Sequence, residues 1–288
     1  MAAGVAERPS SALGYCGEEL RRYDHDRYLT CLFAPRAARD HLFALYAFNL
    51  EVAKTAEVVS EAMLGQIRLQ WWRESIEGIY AGRPRHHEVV EPLAQAVAAR
   101  DLTRGHFDRL IDAREADLAQ QPPATLAALE AYAEATSSTL VWLALEILGA
   151  ADETGRRAGR GLGIAWAYIG LLRALPFHAG RRQLFLPLDL MSEAGLEPEE
   201  VFAGRSSPAL RAVASRIAAA AGRHLGEARA LRPRLSKAAR PALLPGCLAA
   251  GYLRLLSKAG HDPFDPRVQA PRPGRAWRLL WGALTGRC

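Results

Sequence analysis

The feature that most restricts how this chain can fold is a helical apolar periodicity that runs almost without a break, while strand-like alternation is nearly absent. Phe43, Tyr46, Ala47 and Leu50 recur at the spacing of one helix face and are expected to point into a core. The spacing predicts helices over residues 12–32, 36–58, 61–80, 88–99, 103–119, 126–149, 152–176, 208–231 and 239–258. Breakers separate them: Pro35, the stop at Ala81-Gly82-Arg83-Pro84, Gln121-Pro122-Pro123, Gly149 and Pro176. Thr125 is a natural N-cap, because its hydroxyl can accept from an amide of the following turn. Half of the 288 residues are hydrophobic, enough to bury a large core. No repeat of solenoid period and no interdomain linker is visible. The expected fold is all-α, with one helical domain over residues 12–260 and a basic amphipathic tail over 261–288.

The tail has a different character. From Arg267 onward it holds Arg267, Arg272, Arg275, Arg278 and Arg287 and no acid. Trp277, Leu280, Trp281 and Leu284 fall at i, i+3, i+4 and i+7, which makes a basic helix with an aromatic apolar face. Such a face suits contact with a membrane surface. It equally suits a C-terminal helix that docks on the domain core, where tryptophans more often belong.

The 37 Lys and Arg against 31 Asp and Glu leave a net charge of +6, and only Lys54, Lys237 and Lys258 are lysines. An excess this small and scattered does not argue for nucleic acid; it suits an anionic small molecule or a membrane surface better. Cys16, Cys31, Cys247 and Cys288 show neither CxxC spacing nor a dense framework, so unpaired thiols are expected. Met1 to Ser11 lacks the apolar centre of a signal peptide, and Glu7 is unfavourable in a transit peptide. No uninterrupted apolar run reaches membrane-spanning length. The expectation is a cytoplasmic protein, if bacterial, with peripheral contact at the inner membrane.

Several segments follow one another in a fixed order. They are Leu45-Tyr46-Ala47-Phe48, Gln70-Trp71-Trp72-Arg73, Ile79-Tyr80-Ala81-Gly82-Arg83-Pro84, Arg114-Glu115-Ala116-Asp117-Leu118 and Tyr132-Ala133-Glu134. The last stretch, Gly163 to Pro187, contains Leu171-Leu172-Arg173 and Arg181-Arg182-Gln183-Leu184-Phe185-Leu186-Pro187. In order and spacing they resemble the squalene/phytoene synthase family over nearly the whole chain. That resemblance implies an isoprenoid-synthase-type helical bundle with a central cavity. The family's enzymes join two prenyl diphosphates and hold the departing diphosphate with magnesium ions. Magnesium takes oxygen ligands in near-octahedral geometry. The family supplies them from two acidic motifs on facing helices, whose i, i+4 spacing sets both carboxylates of a motif on one face.

At the first motif position this chain reads Ala53-Lys54-Thr55-Ala56-Glu57, and at the second Ala174-Leu175-Pro176-Phe177-His178. The first keeps one acid, Glu57, beside Lys54; the second has Ala174 and His178 at its two carboxylate positions. No DDxxD-like run stands elsewhere. The expectation is therefore no catalytic residue, no resident metal and no cofactor, with magnesium relevant only to an active transferase. Lys54, Arg173, His178, Arg181 and Arg182 are candidates for a metal-free anion site, since arginine grips phosphate oxygens bidentately. Plainer readings compete: Arg181 and Arg182 as a solvated pair, His178 as a satisfied loop histidine, Lys54 snorkelling or paired with Glu51 or Glu57.

Other chemistry lacks support. No P-loop, dinucleotide fingerprint, HExxH or GxSxG is present. Asp24, His25 and Asp26 are adjacent and splay around a helix, and His86-His87 has no nearby third zinc ligand. Arg68, Trp71, Trp72 and Arg73 read as core plus surface.

A narrower resemblance lies in Ala47-Phe48-Asn49-Leu50-Glu51, Ile76-Glu77-Gly78-Ile79-Tyr80, Tyr132 to Ser138, Leu145-Glu146-Ile147-Leu148-Gly149 and Arg173 to His178. These are similar to a branch of synthase-like proteins needed to assemble respiratory complex I, the NADH:ubiquinone oxidoreductase. That branch carries an Arg-Ala-x-Pro-aromatic-His run in place of the second acidic motif. The resemblance implies a non-catalytic assembly protein whose partner is a complex I subunit or assembly intermediate, with an isoprenoid or lipid as a candidate ligand. Two rivals stay open: an active transferase condensing prenyl diphosphates, and an isoprenoid or lipid binder with no assembly role.

Overall fold

The computed structural model describes residues 14–59, 61–119, 121–270 and 274–285. Readings that rest on Met1 to Ser11, Arg272, Arg287 and Cys288 lie outside them. Among the described residues every regular element is helical.

The helix expected over 12–32 is two, α1 (Gly14–Tyr23) and α2 (His25–Cys31). Asp24 divides them: its backbone leaves the helical region at φ −137° and its carboxylate accepts from Arg27 N at 3.2 Å. The helix expected over 36–58 is also divided. α3 (Arg36–Ala53) ends on Lys54, and a single turn, α4 (Thr55–Val58), follows. α5 (Ala62–Tyr80) stops at Gly82, whose φ of +70° favours glycine. Next come α6 (Val90–Arg100), α7 (Arg104–Ala113) and α8 (Glu115–Ala119). Thr125 caps α9 (Leu126–Ala133) as expected, accepting from Ala128 N at 3.1 Å. A π-turn over Glu134–Ser138 joins α9 to α10 (Thr139–Ile147).

α11 (Glu153–Gly180) begins at Asp152, which accepts from Gly155 N at 2.7 Å. It was expected to end at Pro176 but runs through it. The proline removes one helical hydrogen bond, at a cost of about 3 kcal/mol in a helix interior. Burial of Leu172, Leu175 and Ala179 on either side offsets that cost. α12 (Leu188–Ala194) and α13 (Pro198–Phe202) were not anticipated, being too short for a period to show. α14 (Pro208–Ala230), α15 (Arg240–Leu243), α16 (Pro245–Lys258), α17 (Pro266–Gln269) and α18 (Arg275–Thr285) complete the chain.

α11 is the axis of the bundle, packed on α10, α14, α16 and the π-turn, while α3 packs on α1, α6 and α10. Alone among the described helices α11 is long and apolar enough to cross a membrane, though no such span was apparent in the sequence. Its buried side chains on several faces are those of a core helix. Gly163 permits a close backbone approach: a Cβ there would lie 2.4 Å from Ser138 Cα in the π-turn.

α18 packs on α16 and α2 through Leu279, fully buried, and Gly282. The stripe picked out by its spacing faces outward, the first of the two readings its spacing allows: Trp277 is 75% exposed, Trp281 65% and Leu284 71%, with Leu280 at 38%. Cys16 and Cys31 are free and buried, and burial pushes the Cys16 thiol up to about 12. Cys247 is disulfide-bonded, against the expectation of unpaired thiols; spacing along a chain does not report which distant residues meet in space.

Candidate functional site

A cavity of about 280 Å3 opens between α3, α4, α9, the π-turn and α11. Ala53 and Glu57 line one side and Ala174 and His178 the other. The two altered motifs thus face one space, as the family resemblance implies. His178 reaches it because α11 continues past Pro176 and carries residue 178 onto the same face as Ala174.

The lining does not offer what magnesium needs. Ala53 and Ala174 have no side-chain oxygen, and His178 presents nitrogen. Of the carboxylates on the wall, Glu57 lies exposed at the rim. Asp24 is held by Arg27 at 2.7 Å, and Asp117 by Arg114 at 3.1 Å and the Tyr132 hydroxyl at 2.7 Å. Among the described residues no three His, Cys, Asp or Glu side chains converge as metal ligands. This donor set does not fit a cluster of hard cations.

Arg114, Asp117 and Tyr132 form a closed polar cluster in the wall. Arg114 donates to the Tyr132 hydroxyl at 2.9 Å as well as to Asp117, and Gln183 donates to the Asp117 backbone carbonyl at 3.2 Å. Burial, with Asp117 alongside, pushes the Tyr132 phenol up. Burial opposes the charge on Arg114, yet Tyr132 and Asp117 hold its guanidinium above the ordinary value. Nearby, Asn49 Oδ1 and Ser137 Oγ are buried on the lining without hydrogen-bond partners, so the wall keeps unused polar atoms.

His178 lies edge-on to Phe185 with ring centroids 4.8 Å apart, and its Nδ1 is buried without a partner. Burial pushes its pKa down, so near pH 7 it brings no positive charge to the cavity. The other four anion-site candidates do not join it. Lys54 Nζ sits 3.8 Å from Glu19 and 3.7 Å over the Tyr23 ring, a different partner from those expected. Arg173 stacks 3.8 Å over Tyr252. Arg181 donates to the Glu57 carbonyl at 3.0 Å, and Arg182 pairs with Glu199 at 2.6 Å on the surface. Lys54 and the four candidates between residues 173 and 182 therefore serve separate neighbourhoods.

Asn49, Arg114, Asp117, Tyr132 and Ser137 were not singled out as site residues. The signal was present, because each stands in a segment that carries the family resemblance.

The squalene/phytoene synthase family profile matches residues 20–275. The chain belongs to the squalene/phytoene synthase family. A relative from Rattus norvegicus, named NADH dehydrogenase (ubiquinone) complex I, assembly factor 6, is 36% identical over 261 residues, 91% of this chain and 78% of its own. Phytoene synthase from Thermus thermophilus is 30% identical over 278 residues, 93% of this chain and 91% of its own. Among solved structures, a dehydrosqualene synthase in complex with ligand superposes with a TM-score of 0.81 at 16% identity, covering 94% of this chain and 95% of that one. At that identity the likeness speaks for the squalene/phytoene synthase fold alone.

Proposed function

We propose that this chain is a non-catalytic squalene/phytoene synthase relative that assists assembly of respiratory complex I. One observation carries the reading: the cavity persists, but Ala53, Ala174 and His178 replace carboxylates across it, and Asp24 and Asp117 are locked into local pairs. Ionising an allylic diphosphate requires a dense charge to hold the leaving group, and this wall offers one loose carboxylate, Glu57. The similarity to the rat assembly factor supports the same reading. In this role the protein works at the cytoplasmic face of the inner membrane without metal or cofactor. Its partner is a complex I subunit or assembly intermediate, and the cavity takes an isoprenoid or lipid tail.

The test is deletion of the gene in its host, read as assembled complex I by in-gel NADH dehydrogenase activity. Loss of the assembled complex, with the other respiratory complexes intact, is expected. Normal complex I would overturn the reading. So would magnesium-dependent diphosphate release from farnesyl or geranylgeranyl diphosphate above a heat-killed control.

A further inference from the structure

A second cavity, of about 530 Å3, lies between α11, α14 and the C-terminal elements α15, α16 and α18. Its floor is apolar, with Leu162, Leu225 and Leu244. Arg229, Arg232 and Arg240 stand on its wall, and none of its lining residues is acidic. Arg229 is the informative one. Its Nε and Nη2 are both shielded from water, and neither has a hydrogen-bond partner. Burial, together with Arg254 and Arg232, pushes this guanidinium below its ordinary value. Two shielded donors on a cation are costly unless a ligand brings acceptor oxygens, and a phosphate matches the guanidinium fork.

The charge around this cavity is not scattered, as the whole-chain total suggested. Residues 228–288 contain twelve Lys and Arg and only two acids, Asp262 and Asp265, so with a total of +6 the rest of the chain is net negative. Asp265 is itself paired with Arg267 at 2.6 Å. α18 lends Gly282 and Thr285 to the cavity wall and turns Trp277 and Trp281 to the outside. A basic recess with an apolar floor, beside an outward aromatic ridge, matches an acidic phospholipid on three counts: phosphate, acyl chain and headgroup interface.

We propose that this cavity binds the phosphate of an acidic phospholipid, with Arg229 as its ligand, while α18 rests on the same bilayer through Trp277 and Trp281. The proposal stands apart from the assembly role and holds whether or not complex I is the client.

Flotation of the full chain with phosphatidylglycerol-containing vesicles against pure phosphatidylcholine vesicles tests it. Binding to the acidic vesicles should be tighter by about tenfold or more, in line with several basic residues near the surface. Arg229→Gln should lose about tenfold, the worth of a charged hydrogen bond. Lys258→Gln, a basic change outside the cavity lining, should lose no more than about fivefold. Trp277→Ser with Trp281→Ser, both exposed, should weaken binding without shifting the melting temperature. If Arg229→Gln does not fold, Arg240→Gln on the exposed rim takes its place with the same expectation. Equal binding to both vesicle types, or equal losses from Arg229→Gln and Lys258→Gln, would overturn the proposal. So would Arg229-dependent stabilisation by inorganic phosphate without vesicle binding, which would make free phosphate the ligand.

Discussion

Asp26 on α2 and Arg275 on α18 stand 249 positions apart in sequence and form an ion pair at 2.8 Å. The second oxygen of Asp26 accepts from the Tyr252 hydroxyl at 2.7 Å. Asp26 is buried, and the arrangement fastens α18 to the opening helices. Asp26→Ala strips two donors of their acceptor. A fully buried pair would cost about 3–5 kcal/mol to break. Arg275 is partly exposed, so about 2–3 kcal/mol is expected here, read as a lower urea midpoint. Trypsin should also cut faster after Arg278. Unchanged cleavage would show that Leu279 alone holds the helix.

Asp117→Asn should cost more than Tyr132→Phe. The first leaves Arg114, buried among the cavity wall, without its counter-charge, a loss of about 3 kcal/mol. The second removes one hydroxyl that donates to Asp117 and accepts from Arg114, worth about 1–2 kcal/mol. Chemical denaturation of both variants checks the order, and a reversed order would remove Arg114–Asp117 from the centre of the cluster.

Two glycines of α11 should respond in opposite directions to alanine. At Gly163 a Cβ would meet the backbone of Ser138, so Gly163→Ala should destabilise by about 1–3 kcal/mol despite alanine's better helix propensity. At Gly170 a Cβ meets nothing within 4 Å, so Gly170→Ala should gain up to about 1 kcal/mol. Thermal melts of the pair settle it, and a stable Gly163→Ala would mean that the π-turn moves freely.

His178 should give stability a dependence on acid. Burial lowers its folded pKa, so below about 6.5 the unfolded chain takes up a proton that the folded chain refuses. Its contribution is complete above that pH and is lost as pH falls toward the folded value. His178→Gln should therefore lose stability less steeply than the parent between pH 7 and 5. His41 and His106, also lowered by burial, keep a residual slope in both. Parallel curves would place His178 in contact with water.

The all-α architecture was legible because helix period and breakers act locally: Thr125, Gly82 and the α5 boundaries fell where their chemistry places them. Pro176 misled, since local cost gave way to burial of Leu172 and Leu175 on the same helix. The replacements at Ala53, Ala174 and His178 were legible as departures from a motif. The destinations of Lys54, Arg173 and Arg181 were not, because a long side chain chooses its partner from tertiary neighbours such as Glu19 and Tyr252. Whether Trp277 and Trp281 dock or face outward stayed open for a related reason. Leu279 and Gly282 form a second, narrower face, and spacing alone cannot say which of two faces docks.

Across Glu134–Ser138 the backbone bonds reach five residues rather than four, so the rod there contains one residue more than a regular helix of the same length. Wound as regular helix, the extra residue would swing one half against the other by about 100°; the wide turn absorbs it, so deleting one of the five would restore regularity and leave α9 and α10 in phase. What would go is the bulge itself, which carries Ser137 on the cavity lining and Ser138 against Gly163. When this chain is laid beside an enzyme of the family, a one-residue gap at that place therefore records a change in the cavity wall, where elsewhere it would record only the length of a loop.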